Sequence, residues 1–231
     1  MFKDKKVENL YIILSAIFIA SLVSCNLIFQ KFFQIEIWLP FYGNYIFEQS
    51  VGLLAYPITF LVTDIISEVY GQNKANQVVT SGLFASIFML LVVTVADFIP
   101  MAPWSPIDSI TFSKVFGLSG AAVLASMLAY LIAQYIDIRI FHFWKKLTNG
   151  KHLWLRNNAS TIFSQFVDTF SVLFLLCSFD VISWDRFSVL LLNGFLFKVF
   201  FAAFDTPFVY LIVHYLRKEF NLKENEDLGS F

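Results

Sequence analysis

The sequence predicts an all-α, polytopic membrane protein: six transmembrane helices in one bundle, both termini in the cytoplasm, and residues 1–231 forming a single domain. Three observations predict it. The chain is 58% hydrophobic and only 14% charged, a balance outside the range of soluble domains. Six apolar segments are each long enough to cross a hydrocarbon layer of about 30 Å. Lysine and arginine cluster on one side of those segments.

A chain of 231 residues is consumed by six spans of about 20 residues and their loops. No soluble catalytic or nucleotide-binding domain fits beside them. The net charge of −1 supplies no large basic face, so no nucleic-acid partner is expected.

The spans run near Leu10–Phe29, Val51–Val69, Val78–Phe98, Gly120–Ile138, Thr161–Phe179 and Ser188–Leu216. Lys3, Lys5 and Lys6 precede the first, and its Leu22-Val23-Ser24-Cys25 resembles a lipoprotein cleavage box. Hydrophobicity continues through Leu27, Ile28 and Phe29, so the segment reads as an uncleaved span rather than a signal peptide. The second span contains Pro57, tolerable in a membrane helix when neighbours satisfy the freed carbonyl. Between the third and fourth, Pro100–Ser119 holds Pro103, Trp104 and Pro106 and suits an interfacial loop or half-helix. Trp144 and Trp154 flank the basic loop between spans four and five, as headgroup-level aromatics do.

With the N-terminus inside, twelve Lys and Arg fall on the cytoplasmic side. Only Lys31, Lys114 and Arg186 fall outside, and Lys198 lies within a span. That bias sets both termini in the cytoplasm. A faint internal echo links Thr63–Ser67 in span two with Val167–Ser171 in span five, each placing Ser three residues after Asp. Three spans apart means opposite orientation, as in inverted-repeat transporters.

Polar residues inside the spans carry the functional signal. Asp64 and Glu68 lie one turn apart within Tyr56–Gly71, on a face shared with Pro57, Phe60 and Gly71. A charge at the bilayer centre costs about 2.5–3.5 kcal/mol on insertion scales, so such residues face a protein interior and serve substrates or ions. For Glu68 the competing reading is an interfacial carboxylate wetted by the cytosol. For Asp64 it is an internal salt bridge, with Lys198 the partner expected. Span five carries a stripe of Asn157, Asn158, Thr161, Ser164, Gln165, Asp168 and Ser171. Adhesion between helices needs only a few such groups, at about 0.6 kcal/mol each. Span six lines up Gly194, Lys198, Phe201 and Asp205, followed by Thr206-Pro207. Lys198 could neutralise Asp168 or Asp205 as well as Asp64.

Small residues recur in fours at Gly117, Ala121, Ala125, Ala129 and Ala133, and at Ala16, Ala20 and Ser24. Such faces suit close internal packing or docking of a partner membrane protein. Cys25 and Cys177 have no metal-binding spacing, and neither disulfide nor metal site is expected. The chain holds no HExxH, GxSxG or P-loop lysine, so an enzyme is not expected and ATP-driven work would need another subunit.

YPITFLVTDIISEVYG (Tyr56–Gly71), LRNNASTIFSQFVDT (Leu155–Thr169) and KVFFAAFDTP (Lys198–Pro207) resemble the queuosine precursor transporters of the vitamin uptake transporter group. With the six spans, the resemblance covers nearly the whole chain. It implies a multi-pass inner-membrane importer of 7-deazaguanine bases, purine-like precursors used in transfer RNA modification, with no cofactor. Some members carry arginine where this chain has Glu68. The group is also similar to substrate-binding subunits of energy-coupling-factor vitamin importers, in which small-residue faces meet a coupling subunit. Two alternatives therefore stand beside import by the lone protein or its homo-oligomer. One is such a subunit needing ATPase partners. The other is a membrane-embedded enzyme or assembly protein that moves no solute.

A 7-deazaguanine presents adjacent ring N–H and amino donors, which a carboxylate accepts in parallel. The resemblance thus implies Asp64 and Asp168 as partners of the base edge or of a cationic aminomethyl group. Gln165 and Asn158 follow as orienting amides and Lys198 as electrostatic balance, with Glu68 and Asp205 completing the candidate set. Phenylalanines can cover the flat ring.

Overall fold

A computed structural model describes residues 2–40, 43–117, 120–223 and 226–229. Its elements are α1 (Phe2–Ile28), β1 (Phe32–Leu39), β2 (Gly43–Ser50), a 3-10 turn (Val51–Ala55), α2 (Tyr56–Val69), α3 (Gln72–Phe98), α4 (Ser109–Phe116), α5 (Gly120–Leu147), α6 (Leu153–Ser178), a second 3-10 turn (Trp184–Arg186) and α7 (Phe187–Phe220). Among the described residues, five helical stretches are long and apolar enough to cross a membrane: Lys5–Ile28, Val51–Val69, Gln72–Phe98, Leu153–Ser178 and Trp184–Phe220. The 28-residue α5 packs among them against α3 and α6.

The bundle is inside out relative to a soluble protein. Phe84, Phe88, Phe163, Phe200, Phe204 and Leu211 are exposed, while Asp64, Glu68, Gln134, Asp137, Arg156 and Gln165 are buried at 2% exposure or less. An apolar girdle around a polar interior is stable only where the surroundings are themselves apolar. The chain is therefore a multi-pass, helical membrane protein. Phe166, Phe170 and Phe174 stack along α6 and Phe200 stacks on Phe204 along α7, with Phe208 tilted against Phe204, all at the i, i+4 spacing of one helix face.

Local sequence explains the breaks. The Val51–Val69 span divides at Tyr56, and Pro57 falls in the first turn of α2, where its missing N–H leaves no carbonyl unpaired. Ser50 caps the preceding 3-10 turn by accepting from the Gly52 amide. Gly52 lies so close to α1 that a Cβ would sit 2.7 Å from the Cys25 carbonyl. Gly71, at φ 84°, turns the chain from α2 into α3, a conformation open to glycine. Asn149 and Gly150, both at positive φ, reverse α5 into α6. Asp108 caps α4, and its bonds from Thr111 hold its carboxyl below the usual carboxylate range.

The sequence reading omitted one element. β1 and β2 form an antiparallel hairpin with Phe32 opposite Ser50 and Leu39 opposite Gly43. It docks on the start of α7. Gln49 donates to the Leu190 carbonyl at 3.1 Å, Asn193 to the Glu48 carbonyl at 3.0 Å, and Tyr45 bonds Asn193. At the opposite end of the bundle, Lys6 pairs with Glu219 at 3.0 Å and the Leu228 amide bonds the Val69 carbonyl. Both ends of the described chain thus lie on one face. On α1, Ala16, Ala20 and Ser24 are exposed rather than packed internally. Of the α5 small-residue face, Ala133 is buried; the side chains of Ala121 and Ala125 lie outside the described residues.

Candidate transport site

α2 and α6 run antiparallel, which stacks their polar residues in layers. Glu68 near the end of α2 meets Arg156 near the start of α6, and Tyr56 at the start of α2 meets Asp168 far along α6. Eight residues separate Tyr56 from Asp64, about 12 Å of helix, so three levels result.

The layer beside the hairpin contains a cavity of about 140 Å³, lined by α1, the hairpin, α2, α5, α6 and α7. Cavities of about 150 Å³ hold a single aromatic ring. Tyr56, Tyr130, Asp168, Thr169 and Lys198 are among its walls, with Gln49 and Gly194 near the hairpin. Lys198 Nζ lies 2.6 Å from Asp168 Oδ2, donates to Thr169 Oγ1 at 3.0 Å, and sits 4.2 Å from the Tyr56 ring centre. The Tyr56 hydroxyl donates to the same Oδ2 at 2.6 Å. Asp168 Oδ1 has no partner. Gln134 holds the Tyr130 hydroxyl at 2.6 Å, and Tyr130 meets Tyr56 edge-on.

The middle layer holds Asp64, Asp137 and Asp205 within electrostatic reach of one another, with Asn157 beside Asp205. Ser164 donates to Asp137 Oδ1 at 2.8 Å. One oxygen of each aspartate, the Asn157 carbonyl oxygen and both amide atoms of Gln165 are buried without partners. Buried polar atoms are ordinarily paired, so this concentration marks a place built for more than packing.

The third layer is an ion cluster closing the far end. Arg156 grips Glu68 with Nη2 to Oε1 at 2.8 Å and Nε to Oε2 at 3.1 Å. Lys145 Nζ stands 3.6 Å from Oε2, and Arg217 also bonds the carboxylate. Arg156 Nη1 caps the carbonyls of Gly150 and Lys151.

Several expectations are corrected. Lys198 pairs with Asp168, one of the partners the sequence offered, and not with Asp64, because α6 and α7 bring those two to the same level while Asp64 lies near Asp137. Glu68 is fully buried, not wetted by the cytosol, since three cations from α5, α6 and α7 enclose it. It lies away from the cavity, as does Asn158, which bonds Thr206 Oγ1 at 2.9 Å and the Trp154 carbonyl. Asp64, Gln165 and Asp205 occupy the middle layer; of the seven candidates, only Asp168 and Lys198 line the cavity.

Asp137 went unread, although Gln134 and Asp137, three residues apart within an apolar span, carried the same signal as Asp64 and Glu68. Arg156, Lys145 and Arg217 counted only as loop charges. Tyr56, Gln49 and Asn193 gave no signal that sequence spacing could register.

A multi-pass membrane bundle with buried polar layers and a ring-sized cavity is the architecture of a transporter of small polar molecules. Residues 50–212 match the family described as "Putative vitamin uptake transporter", and the chain belongs to that family. It is similar to the "Probable queuosine precursor transporter" of Bacillus subtilis (strain 168), 27% identical over 70% of each chain. A relative of the same description from Haemophilus influenzae is 26% identical over 87% of this chain and 84% of its own. The "Queuosine precursor transporter" of Escherichia coli (strain K12) is 23% identical over 74% and 76%. No solved structure matches.

Proposed function

We propose that this protein imports queuosine precursors, 7-deazaguanine bases, across the inner membrane, as a non-enzymatic, single-domain carrier of residues 1–231. In this reading α5 joins the five other spans as the fourth of six in chain order, both termini are cytoplasmic, and the cavity beside the hairpin faces outward. The charge bias and the Lys6–Glu219 contact support that topology.

One observation carries the reading: Asp168 is buried in a ring-sized cavity with one oxygen fixed by Lys198 and Tyr56 and the other unpartnered. Oδ1 would accept an N–H of the base edge as a charge-assisted bond. The fixed oxygen keeps the carboxylate from turning away. Tyr56 and Tyr130 offer aromatic surface to the ring. Gln165, one turn from Asp168, would orient the base through its unpartnered amide. Asp64, one layer further, would take an aminomethyl group or the base during passage. Asp205 would act in that same layer. Asn158 and Glu68 would support the bundle rather than touch the base.

The exposed Ala16, Ala20 and Ser24 face supports a second reading, docking of a coupling subunit there. Expression of the protein alone in a bacterium lacking its own importer and its own synthesis of the base separates the two. Restored queuosine in transfer RNA at low precursor concentration supports the lone carrier. No recovery, with membrane expression confirmed, moves the assignment to the coupled subunit or to a non-transport role.

A further inference from the structure

We infer that the middle layer is a proton-binding site, and that Asp64, Asp137 and Asp205 couple solute entry to proton entry. This rests on the proposed import reading and adds its driving ion.

The layer holds several buried acceptors without a donor, beside the equally unpartnered amide nitrogen of Gln165. Asp64 Oδ1, Asp137 Oδ2, Asp205 Oδ1 and the carbonyl oxygen of Asn157 are all buried acceptors with no donor. Asn157 is not part of the acidic cluster: its side chain hydrogen-bonds Asp205, and its amide oxygen is left buried without a donor. A proton on any aspartyl oxygen turns that acceptor into a donor and satisfies a neighbour.

Nearby cations are already committed. Facing Asp64 are Glu68 of its own helix, Asp137 of α5, Arg156 of α6 and Asp205 of α7. Arg156 directs its donors to Glu68 and to the Gly150 and Lys151 carbonyls. Lys145 and Arg217 also bond Glu68, and Lys198 bonds Asp168 and Thr169. Carboxylates sharing a dry site without a counter-ion hold protons rather than ionise together.

The layer also has a route. Asn157, Thr161, Ser164, Gln165 and Asp168 form a buried stripe along α6, reaching from the triad to the cavity. A proton entering through the cavity forms an O–H bond on one aspartyl oxygen. On release at the Glu68 end that bond breaks, so one proton crosses with each base and nothing is consumed.

The test uses purified full-length protein in liposomes with the potential clamped at zero and a neutral nitrile-bearing 7-deazaguanine as probe. Exchange of labelled for unlabelled base needs no gradient and tests transport itself. A gradient of one pH unit, acid outside, should then concentrate the base up to about tenfold at one proton per base. A trapped pH dye should report acidification of the lumen as base enters. Asp137→Asn should keep exchange and lose the pH-driven accumulation. No exchange by the wild type would overturn the import reading and this inference with it. Exchange with no accumulation and no lumenal acidification would overturn proton coupling alone, as would accumulation driven by sodium instead. PH-driven accumulation by Asp137→Asn equal to wild type would remove Asp137 from the site. If that variant does not fold, the dye measurement on the wild type decides.

Discussion

Lys198 and Asp168 meet at a single carboxylate oxygen, 2.6 Å apart, and the Tyr56 hydroxyl donates to that same oxygen. The consequence is asymmetric: the ammonium is neutralised, the carboxylate is locked in orientation, and its second oxygen is left for another donor. A pair whose only role was to cancel charge would have no use for that asymmetry.

Replacing Asp168 with Asn should abolish uptake and lower stability together, because an unpaired buried ammonium costs about 3–5 kcal/mol. The double variant Asp168→Asn with Lys198→Met removes the stranded charge. It should regain most of the thermal stability in detergent and none of the uptake. Recovery of uptake in the double variant would reduce the pair to a structural one.

Glu68 makes the opposite prediction. Its carboxylate neutralises Arg156, Lys145 and Arg217 in one buried cluster, so Glu68→Gln should destabilise the bundle by a similar amount, about 3–5 kcal/mol. Protein that still reaches the membrane should bind the base with unchanged affinity. Thermal melts and binding isotherms on one preparation check both halves. Normal melting with weakened binding would move Glu68 into the binding site.

Gly194 tests the cavity without touching a charge. A Cβ there would sit 2.8 Å from Gln49 Nε2 and 3.2 Å from Thr169 Cγ2. Gly194→Ala should displace the Gln49 amide from the Leu190 carbonyl and lower uptake modestly. Gly194→Val narrows the wall further and should weaken apparent affinity at least tenfold, about 1.4 kcal/mol. Concentration-dependent uptake measures it, and a wild-type value for the valine variant would place the base elsewhere.

Topology is checked by labelling single cysteines in a background lacking Cys25 and Cys177. Because Lys6 contacts Glu219, positions near both should label from the same side as Thr148 in the α5–α6 turn. Trp38 on the hairpin, 70% exposed, should label from the other side. Opposite accessibility of the two termini would break the six-span arrangement.

Adenine should not compete for uptake while guanine-like bases do. Adenine could give its amino N–H to Asp168 Oδ1 only by setting its ring N1 acceptor beside the occupied Oδ2, which leaves a desolvated polar group unpaired. Equal inhibition by adenine would count against carboxylate readout.

Composition and the runs of apolar residues determined the class by themselves, since the free energy of crossing a bilayer depends on segment length and hydropathy, both local quantities. Charge location likewise marked Asp64, Glu68, Asp168, Lys198 and Asp205 as unusual, because an acid amid apolar neighbours is legible without coordinates. What each acid does was decided only by tertiary structure. Glu68 and Asp64 are one turn apart on one helix, yet the first meets three cations and the second two carboxylates. That difference arises from α5, α6 and α7, whose facing residues lie about 70–150 positions away in sequence, at spacings no helical period encodes. The hairpin escaped for a related reason: Gln34 and Glu36 interrupt its apolar run, and its partners on α7 exist only once the bundle has formed.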